Sequence, residues 1–167
     1  MNDKKYINVK HPFEPVYDGN SKVLILGSFP SVKSRENDFY YGNNQNRFWK
    51  VVSSVTEGKE PFSIREKKEL LIRNNIAIYD VVSSCDILKS YDSSIKNVKI
   101  NDIEFILKNS QINKIYTNGN KAHELYQKYL KNRLMIDDIK LPSTSPANAK
   151  YNMDMLIDSW RLIKDRR

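Results

Sequence analysis

The sequence has few of the side chains from which metal sites and disulfides are built. Its 167 residues include one cysteine, Cys85, and two histidines, His11 and His123. A single cysteine excludes an intramolecular disulfide and every four-cysteine zinc or iron–sulfur site. We therefore expect no metal site, and we expect Cys85 to be a small, buried core residue.

The motifs of several common enzyme classes are also missing. There is no G-x-x-x-x-G-K-[ST], no G-x-G-x-x-G and no C-x-x-C. The serines from Ser28 to Ser34 have no histidine nearby in the sequence to activate them, which argues against a serine hydrolase. Both histidines are expected outside the candidate site, with His123 on a helix as a surface or packed residue.

Long apolar runs are absent as well. No segment approaches the roughly 20 apolar residues that span a bilayer, and the amino-terminal MNDKKYINVK lacks the apolar centre of a secretory signal. These absences predict a soluble, cytoplasmic protein that makes no membrane contact.

What the sequence does have is positive charge. It contains 28 Lys and Arg residues against 20 Asp and Glu residues, for a net charge of +8 and a pI near 9.4. This excess favours a polyanionic partner such as nucleic acid, because Lys and Arg contacts to phosphates release counterions. A basic surface that serves solubility, or a coding bias towards lysine, is the alternative explanation.

Buried strands alternate with helices along the chain. We predict one domain over residues 1–167, with residues 1–21 as an irregular lead-in and with loops over 27–45 and 90–97. The apolar runs predict strands at Lys22–Leu26, Ile76–Val82, Lys114–Thr117 and Asp138–Leu141. Helices are predicted at Asn46–Val55, Ser63–Asn74, Asn101–Lys108, Lys121–Lys131 and Asn152–Lys164. This alternation indicates an α/β fold whose mostly parallel sheet has helices on both faces.

Each predicted strand ends in small polar residues. The strand ends are Gly27-Ser28, Asp80 to Ser84, Asn118-Gly119 and, after the last strand, Ser143 to Ser145. In a parallel sheet the carboxyl ends of the strands share one edge, so these loops should converge on a site.

The expected site is rich in carboxamides, hydroxyls and aromatic rings. Asn side chains offer donors and acceptors to the edge of a base, and aromatic rings can stack on its face. We expect Phe48 and Trp49 to be core residues, and one of Phe39, Tyr40 and Tyr41 to line a pocket. The composition of the site therefore suits a neutral heterocycle.

Five motifs occur in an order that resembles a known family. They are GSFPSVKS, FYYGNNQNRFW, DVVSSCD followed by DSSIKN, IYTNGNKA and LPSTSPANA. Together they are similar to the uracil-DNA glycosylase superfamily, and most similar to its deoxyinosine (hypoxanthine) branch, over about Val23 to Arg161.

This resemblance implies a three-layer α/β/α fold with a parallel four-stranded sheet. It also implies a monofunctional enzyme of base-excision repair. Such an enzyme flips a deaminated base from DNA and hydrolyses the N-glycosidic bond without a metal or redox cofactor. Phe29 stands where many members carry Asp or Asn, and Leu141 stands where uracil-cleaving members carry His.

The deoxyinosine branch places its catalytic Asn in the segment that matches Asn43 to Trp49. Asn46 is the best match, and Asn43 and Asn44 are alternatives. The residues expected to line the base pocket are Phe29, Phe39, Tyr40, Tyr41, Asp80 and Asn118. The residues expected to contact DNA are Ser28, Ser31, Ser34, Arg47, Ser143, Thr144 and Ser145. The expected partner is single- or double-stranded DNA with a deaminated base, bound by a monomer.

Three alternatives remain open at the level of sequence. The enzyme could prefer uracil, xanthine or mispaired thymine to hypoxanthine. The chain could be a nucleic-acid-binding module without activity. It could also be a hydrolase of small nucleosides.

Overall fold

A computed structural model describes residues 5–89 and 91–164 as a mixed α/β protein. The strands are β1 Ile7–Lys10, β2 Val23–Gly27, β3 Ile76–Asp80, β4 Val82–Ile87, β5 Lys96–Ile100, β6 Lys114–Asn118 and β7 Asp138–Leu141. The α-helices are α1 Val32–Asn37, α2 Phe48–Thr56, α3 Ile64–Arg73, α4 Ile103–Lys108, α5 Asn120–Tyr129, α6 Lys131–Leu134 and α7 Met153–Trp160. Short 3₁₀ turns lie at Asp92–Ser94 and Arg161–Lys164. Ser90, in the predicted loop 90–97, and both ends of the predicted domain 1–167 lie outside the described residues.

Four parallel strands form the central sheet in the order β3-β2-β6-β7. All five residues of β2 are buried, as expected for a strand covered on both faces. The predicted parallel four-stranded sheet is confirmed.

Helices cover both faces of this sheet. Along β2, Val23 and Ile25 belong to one core cluster, whereas Leu24 and Leu26 belong to the other. Helices α2, α3 and α7 pack on the first face, and α4 and α5 pack on the second. The predicted three-layer α/β/α arrangement is therefore confirmed.

A second, antiparallel sheet of order β1-β4-β5 was not predicted. Its strand β1 lies inside the stretch expected to be an irregular lead-in, and β4 occupies most of the polar segment expected to follow the second strand as a loop. Both expectations were wrong because neither strand has a continuous apolar run: β1 is short and largely exposed, and polar residues separate the buried residues of β4. Strand β4 buries Val82, Cys85 and Ile87 under the second face, which confirms Cys85 as a core residue.

Several helix boundaries differ from the predicted ones for local reasons. Helix α1 interrupts the predicted loop 27–45, because the Ser31 side chain accepts a hydrogen bond from the backbone of Ser34. Helix α2 begins at Phe48, so that Asn46 precedes it by two residues. Helix α4 is capped by Asp102, since Asn101 is buried and bonds elsewhere.

The described helices include none that is both long and apolar enough to cross a membrane.

Candidate functional site

A cavity of about 250 Å³ opens at the carboxyl edge of the parallel sheet. All four predicted strand-end loops contribute to its wall, as the parallel arrangement requires. The residues that line it are Gly27 to Ser34, Tyr40, Tyr41, Asn43, Asn46, Asp80, Asp92, Asn118 and Ser143 to Pro146. The structure therefore brings most of the predicted site residues together.

A directed hydrogen-bond chain fixes the orientation of Asn46. Its Oδ1 accepts from the backbone N–H of Phe48 at 2.9 Å and from the hydroxyl of Thr144 at 2.9 Å. A backbone N–H can only donate, so the oxygen of the carboxamide must be the atom at this position. Among the described residues no acceptor binds Asn46 Nδ2, so its two N–H groups remain available at the cavity wall.

The same chain continues from Thr144 to Asn118 and Tyr41. Asn118 Oδ1 accepts from the backbone N–H of Thr144 at 3.1 Å. Its Nδ2 donates to the Thr144 hydroxyl at 3.0 Å and to the Tyr41 hydroxyl at 3.3 Å. Both hydrogens of the Asn118 amide are thus used within the protein, so Asn118 supports the site rather than donating to a ligand.

The two alternative asparagines differ from Asn46 in their surroundings. Asn43 lines the cavity, but its Oδ1 accepts from the backbone of Gln45 at 2.9 Å and so shapes its own turn. Asn44 is exposed and lies on the neighbouring cleft with Phe62. Only Asn46 of the three joins the hydrogen-bond chain described above.

Aromatic rings form one side of the cavity. Phe29, Tyr40 and Tyr41 line it, whereas Phe39 does not and instead stacks on Trp49 with ring centroids 5.9 Å apart. The expectation that Phe39 is a pocket residue is therefore corrected, because its ring is needed in the core between α2 and the loop before it. Tyr41 stacks on Phe48 at 3.9 Å, and burial raises the pKa of its phenol, which therefore stays neutral.

Asp80 ends β3 and pairs with a histidine that the sequence did not place in the site. His11 Nε2 lies 2.7 Å from Asp80 Oδ2, and the two side chains are 3% and 6% exposed. His11 itself does not line the cavity, as expected, but the unpredicted second sheet brings it into contact with Asp80 of the cavity wall. The backbone N–H of His11 extends the β1–β4 pairing by donating to Ser83 at 2.7 Å.

Gly27 allows this carboxylate to lie against the end of β2. A Cβ atom at position 27 would stand 2.4 Å from Asp80 Oδ1 and 3.1 Å from the Tyr41 hydroxyl. No side chain fits there, so glycine is required by the close approach of the two strand ends.

Asp92 is a second carboxylate on the cavity wall, and it was not predicted as a site residue. It accepts a hydrogen bond from the Ser28 hydroxyl at 2.9 Å. The residue is exposed at the mouth of the cavity, yet loss of hydration around its carboxyl group raises the pKa of Asp92, and the nearby charge of Asp80 adds to that rise. The signal in the sequence was the motif DSSIKN, which begins at this residue.

The predicted DNA-contacting residues separate into two groups. Ser28, Ser31, Ser143 and Ser145 line the cavity and are partly exposed. Ser34 and Thr144 are 2% and 0% exposed, and their hydroxyls bond Gly42 and Asn46, respectively. The expectation of phosphate contacts is corrected for these two residues, because buried hydroxyls cannot reach DNA.

Arg47 is turned inwards rather than towards solvent. Its guanidinium donates to the backbone carbonyls of Ser145 at 3.0 Å, Asn148 at 3.1 Å and Tyr151. Its own backbone N–H donates to Thr144 at 3.0 Å. The prediction of a phosphate contact is therefore corrected, and Arg47 acts as a clamp on the loop from Ser143 to Tyr151.

The other histidine forms a separate pair at the opposite end of the sheet. His123 Nδ1 lies 2.6 Å from Asp138 Oδ2 at the start of β7. Within the described part of the chain no three His, Cys, Asp or Glu side chains are grouped so as to hold a metal ion. His123 is a packed, half-buried helix residue, as predicted.

Comparison with known proteins connects this geometry to one family. The family model described as "Uracil DNA glycosylase superfamily" matches residues 14–164. A protein of Methanosarcina acetivorans named hypoxanthine DNA glycosylase is 34% identical over 146 residues, which cover 86% of this chain and 91% of that protein. A protein of Methanosarcina barkeri with the same name is 35% identical over 118 residues, 69% of this chain and 74% of that protein.

A solved structure has the same fold. It is a solution NMR structure from Methanosarcina acetivorans, provisionally described as a uracil DNA glycosylase. The TM-score is 0.78 at 30% sequence identity, with 95% of this chain and 100% of that chain covered.

Proposed function

The chain belongs to the uracil DNA glycosylase superfamily and is a DNA glycosylase, and we propose that hypoxanthine is the base that it removes. Two relatives that cover most of the chain are named for this base. The observation that carries the proposal is the cavity at the carboxyl edge, which joins aromatic walls to the oriented amide of Asn46. We place the enzyme in base-excision repair as a monomer.

DNA binding would begin at the rim of the cavity. Ser28, Ser31, Ser143 and Ser145 supply hydroxyl and backbone groups there, and Lys33 and Lys121 lie close enough to attract phosphates. The loop Ser143–Ala147 enters the minor groove and fills the space that the flipped nucleotide leaves. Extrusion of the base costs a few kcal/mol, and least for a mispaired base, which favours damaged positions.

The flipped base would be held in the cavity by stacking and by hydrogen bonds to its edge. Phe29, Tyr40 and Tyr41 offer rings, and Asp80 offers its second carboxylate oxygen. A purine stacked on these rings places its sugar towards Asn46.

Asn46 would position the attacking water. Its Oδ1 is occupied by two donors, so an Nδ2–H group holds the water by one lone pair and leaves the other lone pair to attack C1′. A carboxamide does not accept a proton readily, so its contribution is placement.

Asp92 would supply a negative charge, which the neutral carboxamide of Asn46 does not have. Positive charge develops on the sugar as the glycosidic bond breaks, and a carboxylate at the cavity stabilises it. In this scheme Asp92 accepts a proton from the water as the new C1′–O bond forms. The base leaves with the bonding electron pair and takes up one proton from solvent, and Asp92 returns its proton to solvent, so that the net reaction consumes one water.

The decisive experiment measures release of free base from matched oligonucleotides. The panel contains inosine, uracil, xanthine and a G·T mispair, in single and double strands, followed by alkaline cleavage at abasic sites. We expect the fastest release from inosine. Binding without release of any base would indicate a non-catalytic module, and release from free deoxyinosine without preference for the polymer would indicate a nucleoside hydrolase.

A further inference from the structure

The His11 ring makes two hydrogen bonds that together fix its protonation. Nδ1 lies 2.8 Å from the backbone carbonyl of Phe13, and Nε2 lies 2.7 Å from Asp80 Oδ2. A carbonyl only accepts, so Nδ1 must carry a hydrogen. The short contact to Oδ2 then needs a second hydrogen, which either an imidazolium or a protonated Asp80 supplies. The pair therefore holds two protons and is neutral overall.

This arrangement assigns different roles to the two oxygens of Asp80. Oδ2 shares the proton with His11, so Oδ1 carries none and can only accept. Oδ1 lies against Gly27 beside the Tyr41 hydroxyl, and Asp80 is part of the cavity wall. The cavity consequently presents one fixed acceptor on this side.

The titratable groups around the pair show which residue can compensate a negative charge on Asp80. The titratable side chains that face it are the carboxyls Glu14 and Asp92 and the phenols of Tyr40, Tyr41 and Tyr79. Burial raises the pKa of Tyr79 to about 12 and also raises the pKa of Tyr40 and of Tyr41, so the phenols are neutral. The carboxyls can add only negative charge. Of these described groups, only His11 can balance a negative Asp80.

We propose that His11 is a positioning residue that keeps Asp80 Oδ1 an obligate acceptor, which favours hypoxanthine over adenine and uracil over cytosine. Deamination converts the bare N1 of adenine into the N1–H of hypoxanthine, and the bare N3 of cytosine into the N3–H of uracil. An acceptor binds the N–H of the product, whereas it repels the lone pair of the parent base. This inference rests on the proposed glycosylase function and names the group that distinguishes hypoxanthine from adenine, and uracil from cytosine.

Removal of His11 should change the chemistry of Asp80 rather than only its packing. A buried carboxyl without a cationic partner holds its proton more tightly. A proton on Asp80 would then no longer be shared with the His11 ring, and the carboxyl group could turn an O–H towards the base. A rise in pH would remove that proton and restore the acceptor.

The test compares His11→Leu, which removes both ring hydrogen bonds, with His11→Gln, which keeps a neutral N–H near Asp80. Single-turnover release of base from inosine- and adenine-containing oligonucleotides is measured from mildly acidic to alkaline pH. His123→Gln is the matched control, because it changes the other histidine–carboxylate pair, which lies away from the cavity.

We expect His11→Leu to lose about tenfold or more in the rate on inosine at neutral pH and to recover as the pH rises. His11→Gln should lose less, and His123→Gln should match the wild type at every pH. The preference for inosine over adenine should fall in His11→Leu.

Two results would overturn the proposal: an unchanged pH profile in both His11 variants, or a loss by the same factor at all pH values. If His11→Leu does not fold, the profile of His11→Gln decides, because a retained preference for inosine and a pH profile equal to that of the wild type would also overturn the proposal. A wild-type protein that is inactive on every oligonucleotide would instead refute the proposed function.

Discussion

The hydroxyl of Thr144 donates a hydrogen bond of 2.9 Å to Oδ1 of Asn46, although the two residues are 98 positions apart in the chain. Thr144 is fully buried, so its side chain acts on the protein rather than on a ligand. This bond ties the loop after β7 to the segment before α2. Together with the backbone N–H of Phe48, it fixes which end of the Asn46 carboxamide faces the cavity.

Asn46→Ala should abolish base release while leaving DNA binding nearly intact. The loss should be about a hundredfold or more, because the water would no longer be held in place. Single-turnover release from an inosine oligonucleotide and fluorescence anisotropy of the same duplex measure the two quantities. Asn44→Ala is the matched control and should behave as wild type. An unchanged rate in Asn46→Ala would remove Asn46 from the mechanism.

Thr144→Val keeps the shape of the side chain but removes its hydroxyl. We expect base release to fall by about tenfold, since Asn46 and Asn118 both lose a partner and the carboxamide can rotate. DNA affinity should not change. Thr56→Val, which removes a hydroxyl bonded only to its own helix, serves as the comparison. Equal rates in the two variants would contradict the orienting role of Thr144.

Arg47→Lys should lower stability rather than the salt dependence of binding. A lysine cannot reach the three carbonyls that the guanidinium bonds, so we expect the free energy of unfolding to fall by about 1–3 kcal/mol. Denaturant unfolding measures this loss, and Arg65→Lys at an exposed ion pair is the control. A normal stability with a weaker salt dependence would instead make Arg47 a phosphate contact.

DNA affinity should decrease steeply as salt increases, because phosphate contacts release counterions. Lys33→Ala and Lys121→Ala should each reduce the slope of log Kd against log salt by about one. Lys108→Ala, at the end of α4, should leave the slope unchanged. The measurement is fluorescence anisotropy over a salt series. If the DNA affinity of the wild type did not change with salt, contacts between Lys or Arg side chains and DNA phosphates would be excluded as a source of binding.

The pH dependence of base release should report on Asp92. Its pKa is raised by loss of hydration, so the active carboxylate is lost as the pH falls, and at a higher pH than for an ordinary aspartate. Wild-type single-turnover rates should therefore show an acid limb that Asp92→Asn lacks, together with a rate that is lower by about tenfold or more. Asp158→Asn, at an exposed position on α7, should keep the limb. Persistence of the limb in Asp92→Asn would assign it to another group.

The central sheet was predictable because its strands are short apolar runs that must be covered on both faces. The small antiparallel sheet was not, since β1 and β5 expose most of their residues and carry no apolar pattern. The position of this sheet matters for the site, because it brings His11 into contact with Asp80, which lies 69 positions away in the sequence.

The site was predictable at the level of loops but not of side chains. Strand-end loops converge in any parallel sheet, so the wall of the cavity followed from the strand positions. Whether a polar side chain faces solvent or the backbone of another loop depends on tertiary contacts. Arg47 and Ser34 both turn inwards for this reason, and nothing in their neighbouring residues signals it.

The clamp formed by Arg47 has a mechanical consequence. Arg47 donates hydrogen bonds to three backbone carbonyls of the loop Ser143–Tyr151, and it is the residue next to Asn46 in the chain. Thr144, which belongs to the same loop, donates a hydrogen bond to the carboxamide of Asn46. The loop and Asn46 are thereby connected at two points, through Arg47 and through Thr144. We therefore expect DNA that displaces this loop to displace the Asn46 amide as well, so that the fit of the duplex would affect the alignment of the proposed catalytic group.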